Sequence, residues 1–308
     1  MYEFIINPNA GNGSGMKIWN KLEYQLKRRC VDYATHLTQQ QGDARAISSR
    51  LTDKKETAEC VIVVVGGDGT LNEVLDGLSL SPAVTLGYIP VGPNDFAKSI
   101  RLPRRPLACL NRILKSNHCK MMDYGVVTYG SGTMEHRRFM VSTGIGINAA
   151  VCHDVLCSGV KRRFSGFHLE KLSYILAAVK QSIRSKAVKG YLILDGVKRV
   201  EFNHLYLVSA HIQPYDVGGF KLAPKASGSD GKLTVCVIHN ARKIRLAPIL
   251  IRSGIGRLGR DRGVRFYDCR EVAIHMEQPR PVHVDGESCE SQTDLQVRCI
   301  ERKVRVIV

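Results

Sequence analysis

The chain has no apolar run approaching about 18 residues, so no helix in it is expected to span a bilayer. It also lacks a basic leader followed by an apolar stretch. A first strand is expected from Tyr2, and the protein is expected to be cytoplasmic. None of its ten cysteines forms a C-x-x-C pair. The tightest grouping, Cys152-His153 with Cys157, is followed by no second ligand pair at zinc spacing, so the cysteines read as buried or incidental thiols in a reducing compartment. Internal repeats, low-complexity tracts and flexible linkers are missing too. What remains is an ordinary globular composition, 44% apolar over 308 residues, too long for one core and suited to two domains.

Acidic residues are scarce: 28 stand against 45 lysines and arginines, a net charge of +17. The excess is clustered. Residues 241–270 hold nine basic residues against Asp261 and Asp268, and other groups lie at Arg101, Arg104 and Arg105 and at Lys161, Arg162 and Arg163 beside Phe164 and Phe167. No nucleic-acid module accompanies them, so no nucleic-acid partner is expected. An anionic membrane surface fits better, at about 1 kcal/mol per basic residue near it. A solvated face that keeps the protein soluble is the plain alternative. A homodimer is compatible with the sequence.

Against these absences stands residues 61–78, VIVVVGGDGTLNEVLDGL. The continuous apolar run Val61 to Val65 suits a parallel strand buried on both faces, and Leu71, Val74, Leu75 and Leu78 share one helical face. Between them Gly66, Gly67 and Gly69 let backbone N–H groups approach an anion at a helix N-terminus. Asp68 is the one charge in that turn. Phosphates would repel it unless a magnesium ion or its water shell lay between, and a tight turn with a capping Asp is the alternative. A second glycine-rich loop, Asn7 to Gly15, follows a strand at Tyr2 to Ile6 and precedes a helix over Met16 to Arg29 with Ile18, Trp19, Leu22 and Leu26 inward. Two such units imply a nucleotide. There is no G-x-x-x-x-G-K-[ST], Met16 replaces the third glycine of G-x-G-x-x-G, and H-R-D and D-F-G sets are missing.

At these residues the chain resembles the diacylglycerol kinase catalytic-domain family, which includes bacterial lipid kinases and the sphingosine and ceramide kinases. The resemblance rests on Asn7-Pro8 with Asn9, Ala10, Gly11 and Gly13, on Thr38 before Gly42-Asp43-Ala44, and on Gly66-Gly67-Asp68-Gly69-Thr70 followed by Asn72-Glu73. It continues through Pro90, Gly92, Asn94-Asp95-Phe96-Ala97, Asp123, Gly218-Gly219-Phe220 with Pro224, Asp230-Gly231 and Asp285-Gly286-Glu287, in family order over nearly the whole chain. One departure stands out: the family pattern resembles P-x-G-[TS]-x-N-D-F-A, and this chain is one residue short there, with Pro93 in place of the hydroxyl-bearing position. Proline offers neither a hydroxyl nor an N–H. One lost hydrogen bond costs about 1 kcal/mol if neutral and up to about 3 if charge-assisted.

Rhythm divides the chain near residue 124. Before it, strands near Val31 to Thr38, at 61–65 and at Thr85 to Ile89 alternate with helices at 43–52 and 71–79, an α/β domain with a parallel sheet, similar to NAD kinases and diacylglycerol kinases. After it, strands are expected at Tyr124 to Thr128, Arg138 to Thr143, Val188 to Leu194, Glu201 to Ala210, Lys232 to Ile238, Glu271 to Met276 and Pro281 to Val284, a β-sandwich with one clear helix at Leu172 to Ile183. The expected division is a nucleotide-binding domain of residues 1–123 plus 300–308 and a lipid-substrate domain of residues 124–299. The resemblance implies that the final strand returns to the first domain and that the active site lies in the cleft between domains.

The resemblance further implies ATP and Mg2+ as cofactors, with the cradle formed by the loop from Asn7, by Thr38, by Gly66 to Glu73 and by Asn94, and with Asp68 organising a metal. Asp285 is the implied proton acceptor for a lipid hydroxyl, with Glu287 beside it. Two such close carboxylates are expected to raise one pKa toward neutrality, although D-G-E alone is an ordinary turn. A second magnesium is implied at Asp230, with main-chain oxygens of Ser227 and Lys232. A hairpin turn is the rival reading there. The expected activity is phosphorylation of diacylglycerol to phosphatidic acid. The alternatives are a NAD kinase-like enzyme with a soluble acceptor, and a nucleotide- or membrane-binding homologue whose turnover is weakened or lost at Pro93.

Overall fold

The computed structural model describes residues 1–53, 60–79, 84–92, 94–115, 118–130, 132–157, 167–259 and 261–308. It divides into two compact units, Met1–Met122 with Arg302–Val308, and Asp123–Glu301. Pro93 and the cluster at Lys161 to Phe164 lie outside the described residues.

In the first unit β1 (Tyr2–Ile6), β2 (Tyr33–Leu37), β3 (Cys60–Gly66) and β4 (Val84–Pro90) form a wholly parallel sheet in the order β2-β1-β3-β4. The end of β13 (Glu287–Ile307) adds a fifth parallel strand beside β4, with Arg305 opposite Thr85 and Val306 opposite Leu86. Alternate residues serve opposite faces. Phe4, Ile6, Val63, Val65 and Ile89 pack with Trp19, Leu22 and Leu26 of α1 (Ala10–Arg28) and Cys109, Leu110 and Ile113 of α5 (Pro106–Lys115). Ile5, Ile62 and Val64 are equally buried, and α2 (Asp43–Asp53) packs on β1 while α3 (Asp68–Gly77) packs on β3. Cover on both faces is why β3 reads as an unbroken apolar run, each buried aliphatic side chain contributing about 1.5–3 kcal/mol. The helix after β3 begins at Asp68, three residues before the expected Leu71, and α1 runs regularly only after left-handed turns at Gly11, Asn12 and Gly13.

The second unit is a set of antiparallel pairs. β7 (Ser142–Gly146) and β8 (Val188–Leu194) each pair with both β9 (Lys198–His211) and β12 (Glu271–Val284), which closes a four-strand circuit. β10 (Leu233–His239) joins β9 to β11 (Val264–Cys269), β13 pairs with β12, and β5 (Cys119–Tyr129) pairs with β6 (Glu135–Phe139). One core fills the space among these strands. A second lies under three helices, α6 (Ile147–Cys157), α7 (Phe167–Arg184) and α8 (Lys243–Gly254), where one had been expected. Two strand expectations also change. Arg138 to Thr143 is two strands, broken at Met140 and Val141, and Glu271 to Met276 with Pro281 to Val284 is one strand whose register shifts between His275 and Arg280. No helix of the described residues is long and apolar enough to cross a membrane.

Candidate active site

Strand order 2-1-3-4 makes the gap between β1 and β3 the topological switch point, the place where ligands sit at the carboxyl ends of parallel strands. Both glycine loops leave from there. Asn7 Nδ2 donates to Thr70 Oγ1 at 3.0 Å across the gap, and Asn7 Oδ1 accepts from the Asn9 N–H at 3.0 Å. Gly15 is required by space: a Cβ there would lie 2.1 Å from the Asn7 carbonyl oxygen. Gly13 (φ +83°) and Gly67, by contrast, have nothing within 4 Å of an added Cβ, so the two loops present open backbone. Gly67 caps α3 without a side-chain hydrogen bond, leaving Gly69 and Thr70 in its first turn. Thr38 is held by its N–H on the Ile6 carbonyl at 2.9 Å, at the end of β1, with Pro8, Ala10 and Gly11 following on that loop. Gly11 faces Val91, whose N–H reaches the Gly66 carbonyl at 2.9 Å. Bare backbone at a helix N-terminus is suited to anions.

Asp68 does something the sequence did not disclose. Its carboxylate accepts the N–H groups of Asp95 at 2.9 Å and Phe96 at 3.4 Å, the first residues of α4 (Asp95–Ser99). Asn94 caps the same helix through the Ala97 N–H at 2.8 Å, and its Nδ2 donates to the Tyr88 hydroxyl, which donates to the Gly66 carbonyl at 3.2 Å. Thus GGDG and NDFA are one hydrogen-bonded body, with Tyr88 the residue that sequence reading missed. Burial first, and the Asp68 charge second, push the Tyr88 hydroxyl well above its usual pKa, so it stays a neutral donor. Asn72, one residue before Glu73, is wholly buried.

In the second unit Asp285-Gly286 forms the two-residue turn of the β12–β13 hairpin, with φ +46° and +91° and Val284 opposite Glu287. The Asp285 carboxylate accepts three main-chain N–H groups, from Met140 (2.8 Å), Val141 (3.0 Å) and Ser142 (2.9 Å). These amides turn inward at the break between β6 and β7, which explains that break. Three donors stabilise the ionised carboxylate. Glu287 is paired with Arg137 at 2.6 Å.

Residues 227–232 end the long connection between the antiparallel neighbours β9 and β10, so the turn there is not a tight two-residue hairpin. The turn wraps a buried carboxylate, Asp123, which accepts the Gly231 N–H at 2.8 Å while its own N–H donates to the Gly228 carbonyl at 2.9 Å. Asp230 accepts the Lys232 N–H at 3.1 Å. Its pKa is raised, by burial first and by the Asp123 charge as well, against the opposing Lys232 bond. Among the described residues no three His, Cys, Asp or Glu side chains gather as a metal cage. Two crowded carboxylates beside main-chain oxygens do fit magnesium, which is commonly held by one or two carboxylates and completed by water.

Beside the Asp285 turn lies a small, mostly apolar pocket of about 20 Å³, lined by Val151, Tyr174, Ala178, Phe220, Leu222 and Leu250 and ending at Asn148 and Asp216. Gly218 (φ +75°) lies against the Tyr174 ring, where a Cβ would approach to 2.6 Å, so the GGF turn shapes this wall. At the closed end Asp216 accepts from Ser142 Oγ at 2.7 Å and Asn148 Nδ2 at 3.0 Å, beside His283 at 3.3 Å. Burial pushes the Asp216 carboxyl up, but His283, His211, Asn148 and Ser142 together bring it below the usual carboxylate range. Burial pulls His283 and His211 down.

Residues 2–127 match the family model described as the diacylglycerol kinase catalytic domain, and residues 145–308 match the YegS C-terminal NAD kinase beta sandwich-like domain. A diacylglycerol kinase of Bacillus subtilis (strain 168) is 27% identical over 289 residues, covering 92% of this chain and 88% of its own. One from Staphylococcus carnosus (strain TM300) is 25% identical over 92% of this chain and 87% of its own. A crystal structure of a diacylglycerol kinase from Bacillus anthracis str. Sterne shares the fold at TM-score 0.71 with 21% identity, over 99% of this chain and 96% of that one. A NAD kinase from Archaeoglobus fulgidus in complex with ATP does so at TM-score 0.52 with 14% identity, over 100% and 94%. With both its halves matched in order, the chain belongs to the diacylglycerol kinase catalytic-domain family and is a kinase.

Proposed function

We propose that this kinase transfers the γ-phosphoryl group of ATP to the free hydroxyl of diacylglycerol or a related lipid alcohol, yielding phosphatidic acid from diacylglycerol. The observation that carries the reading is the convergence of the Asn7, Gly66 and Asn94 loops at one switch point, where bare backbone suits phosphates. Asn7 to Gly13, Thr38 and Gly66 to Glu73 would hold the nucleotide. Magnesium would supply neutralisation of phosphate charge, with Asp68 organising it; Asp230 and Asp123, with main-chain oxygens of Ser227 and Lys232, would hold a second, structural ion.

Phosphoryl transfer through a loose transition state asks little of a base and much of positioning. Asp285, fixed by three amides, suits a carboxylate that orients the lipid hydroxyl and takes its proton late, with Glu287 and Arg137 flanking it. The basic excess supports transient residence of a cytoplasmic protein on an anionic membrane.

The test is transfer of labelled γ-phosphate from ATP and magnesium to diacylglycerol in mixed micelles, beside NAD and a lipid-free blank. Label in phosphatidic acid is expected. Label in NAD alone, or none anywhere with ATP binding intact, refutes the proposal. The second outcome directs attention to Pro93, where insertion of Thr-Gly in its place would then restore turnover.

A further inference from the structure

Helix α8 is apolar on two sides. Its inward residues Leu246, Ile249 and Leu250 belong to the core beneath it, as an amphipathic helix requires. Its outward stripe should then be polar, yet Ile244, Pro248, Ile251 and Ile255 follow one another at helical spacing and are all exposed, Ile244 to 82% and Ile255 to 56%. Single exposed aliphatics are ordinary; a contiguous stripe is not. The neighbouring helix extends it. Leu176 and Ile183 of α7 are exposed to 62% and 69%, and Lys243 Nζ donates to the Ile183 carbonyl at 3.3 Å, which sets Ile183 and Ile244 at the same junction.

The charges along helix α8 and its flanks are predominantly basic. Arg242, Lys243, Arg245, Arg252 and Arg257 flank the stripe, and no Asp or Glu occurs between residues 240 and 260. Arg252 pairs with Asp261. A second copy of a chain carrying +17 would bring like charges together, whereas an anionic lipid surface meets both the cations and the aliphatic row.

We propose that the α7–α8 face docks on anionic membrane, with Ile244, Ile251 and Ile255 entering the headgroup and acyl boundary and the arginines lying among the phosphates. The reverse faces of the same helices, at Tyr174, Ala178 and Leu250, line the small apolar pocket. Docking stands apart from the lipid-kinase reading; only its effect on phosphorylation of a membrane lipid rests on that reading.

The experiment uses the full chain and its Ile244→Ser/Ile251→Ser variant, which leaves charge unchanged and touches no residue of the proposed site. Sedimentation with vesicles of phosphatidylcholine, alone or with about one third phosphatidylglycerol, reads docking. The wild type is expected on the anionic vesicles only, and the variant to bind them at least about tenfold more weakly at an unchanged melting temperature. Phosphorylation of a bilayer-embedded lipid should fall in parallel while that of a micelle-dispersed short-chain lipid does not. Equal vesicle binding by the two proteins, or no binding by either, overturns the proposal. So does a wild-type dimer in sedimentation velocity that the variant abolishes. Vesicle binding lost in the variant, with no lipid phosphorylated by either protein, upholds docking and removes the kinase assignment alone.

Discussion

Replacing Asp285 by Asn tests what that carboxylate does before any chemistry. Asn tolerates the left-handed backbone at φ +46°, so the turn itself is preserved. Its amide oxygen can keep the N–H groups of Val141 and Ser142, but its NH2 then faces the Met140 N–H, donor against donor. One charge-assisted bond is lost, at about 1.5–3 kcal/mol, and the other two fall to neutral strength at about 1 kcal/mol each. The sum is a destabilisation of about 2.5–7 kcal/mol. Urea unfolding of wild type and Asp285→Asn, followed by circular dichroism and by the fluorescence of the single Trp19, reads it, the two probes separating the units. Loss of lipid phosphorylation with stability changed by less than about 1 kcal/mol would refute the anchoring role and leave catalysis as the residue's whole function.

Two further outcomes follow from buried networks. Tyr88→Phe removes the donor to Gly66 and leaves the buried Asn94 amide without its acceptor. It should cost about 1–3 kcal/mol in thermal unfolding and weaken ATP binding about fivefold or more by calorimetry; unchanged affinity would separate Tyr88 from the cradle. The second concerns acid. His283 and His211 hold folded pKa values below 6.5, so the unfolded chain takes up protons that the folded chain refuses, and their contribution to stability is full above pH 6.5 and lost as pH falls below it. Asp216, below its usual 3.8, is the opposite charge type with the same direction, its contribution vanishing only at still lower pH. Melting temperature should thus fall from pH 6.5 downward, and His283→Gln should flatten that slope; a wild type indifferent to pH there contradicts the account.

Much of the first unit was legible because its signals are local. An apolar run ending in glycines can only be a covered strand entering a turn, and β1, β3 and β4 fall where the pattern put them. The second unit was harder. Helix α6, INAAVCHDVLC, has almost no polar face to mark a period, and α8 carries Pro248 and isoleucines on both sides, so neither displays amphipathic spacing. The site divided in the same way. Glycines and the D-G-E turn are readable as chemistry, whereas Tyr88 bridging Gly66 to Asn94, and Arg137 meeting Glu287 150 residues away, are long-range partnerships that no periodicity encodes.

The fifth strand of the first sheet has a consequence for biosynthesis. Residues Arg302–Val308 seal β4, yet they are translated only after Asp123–Glu301. At about 5–20 residues per second that interval is on the order of 10–40 s, during which the parallel sheet emerges from the ribosome with an uncovered edge. The nascent chain is then most exposed to mispairing and to chaperone capture, and a chain lacking this strand would lose Ile307 from the core of the first unit and keep an aggregation-prone seam along β4.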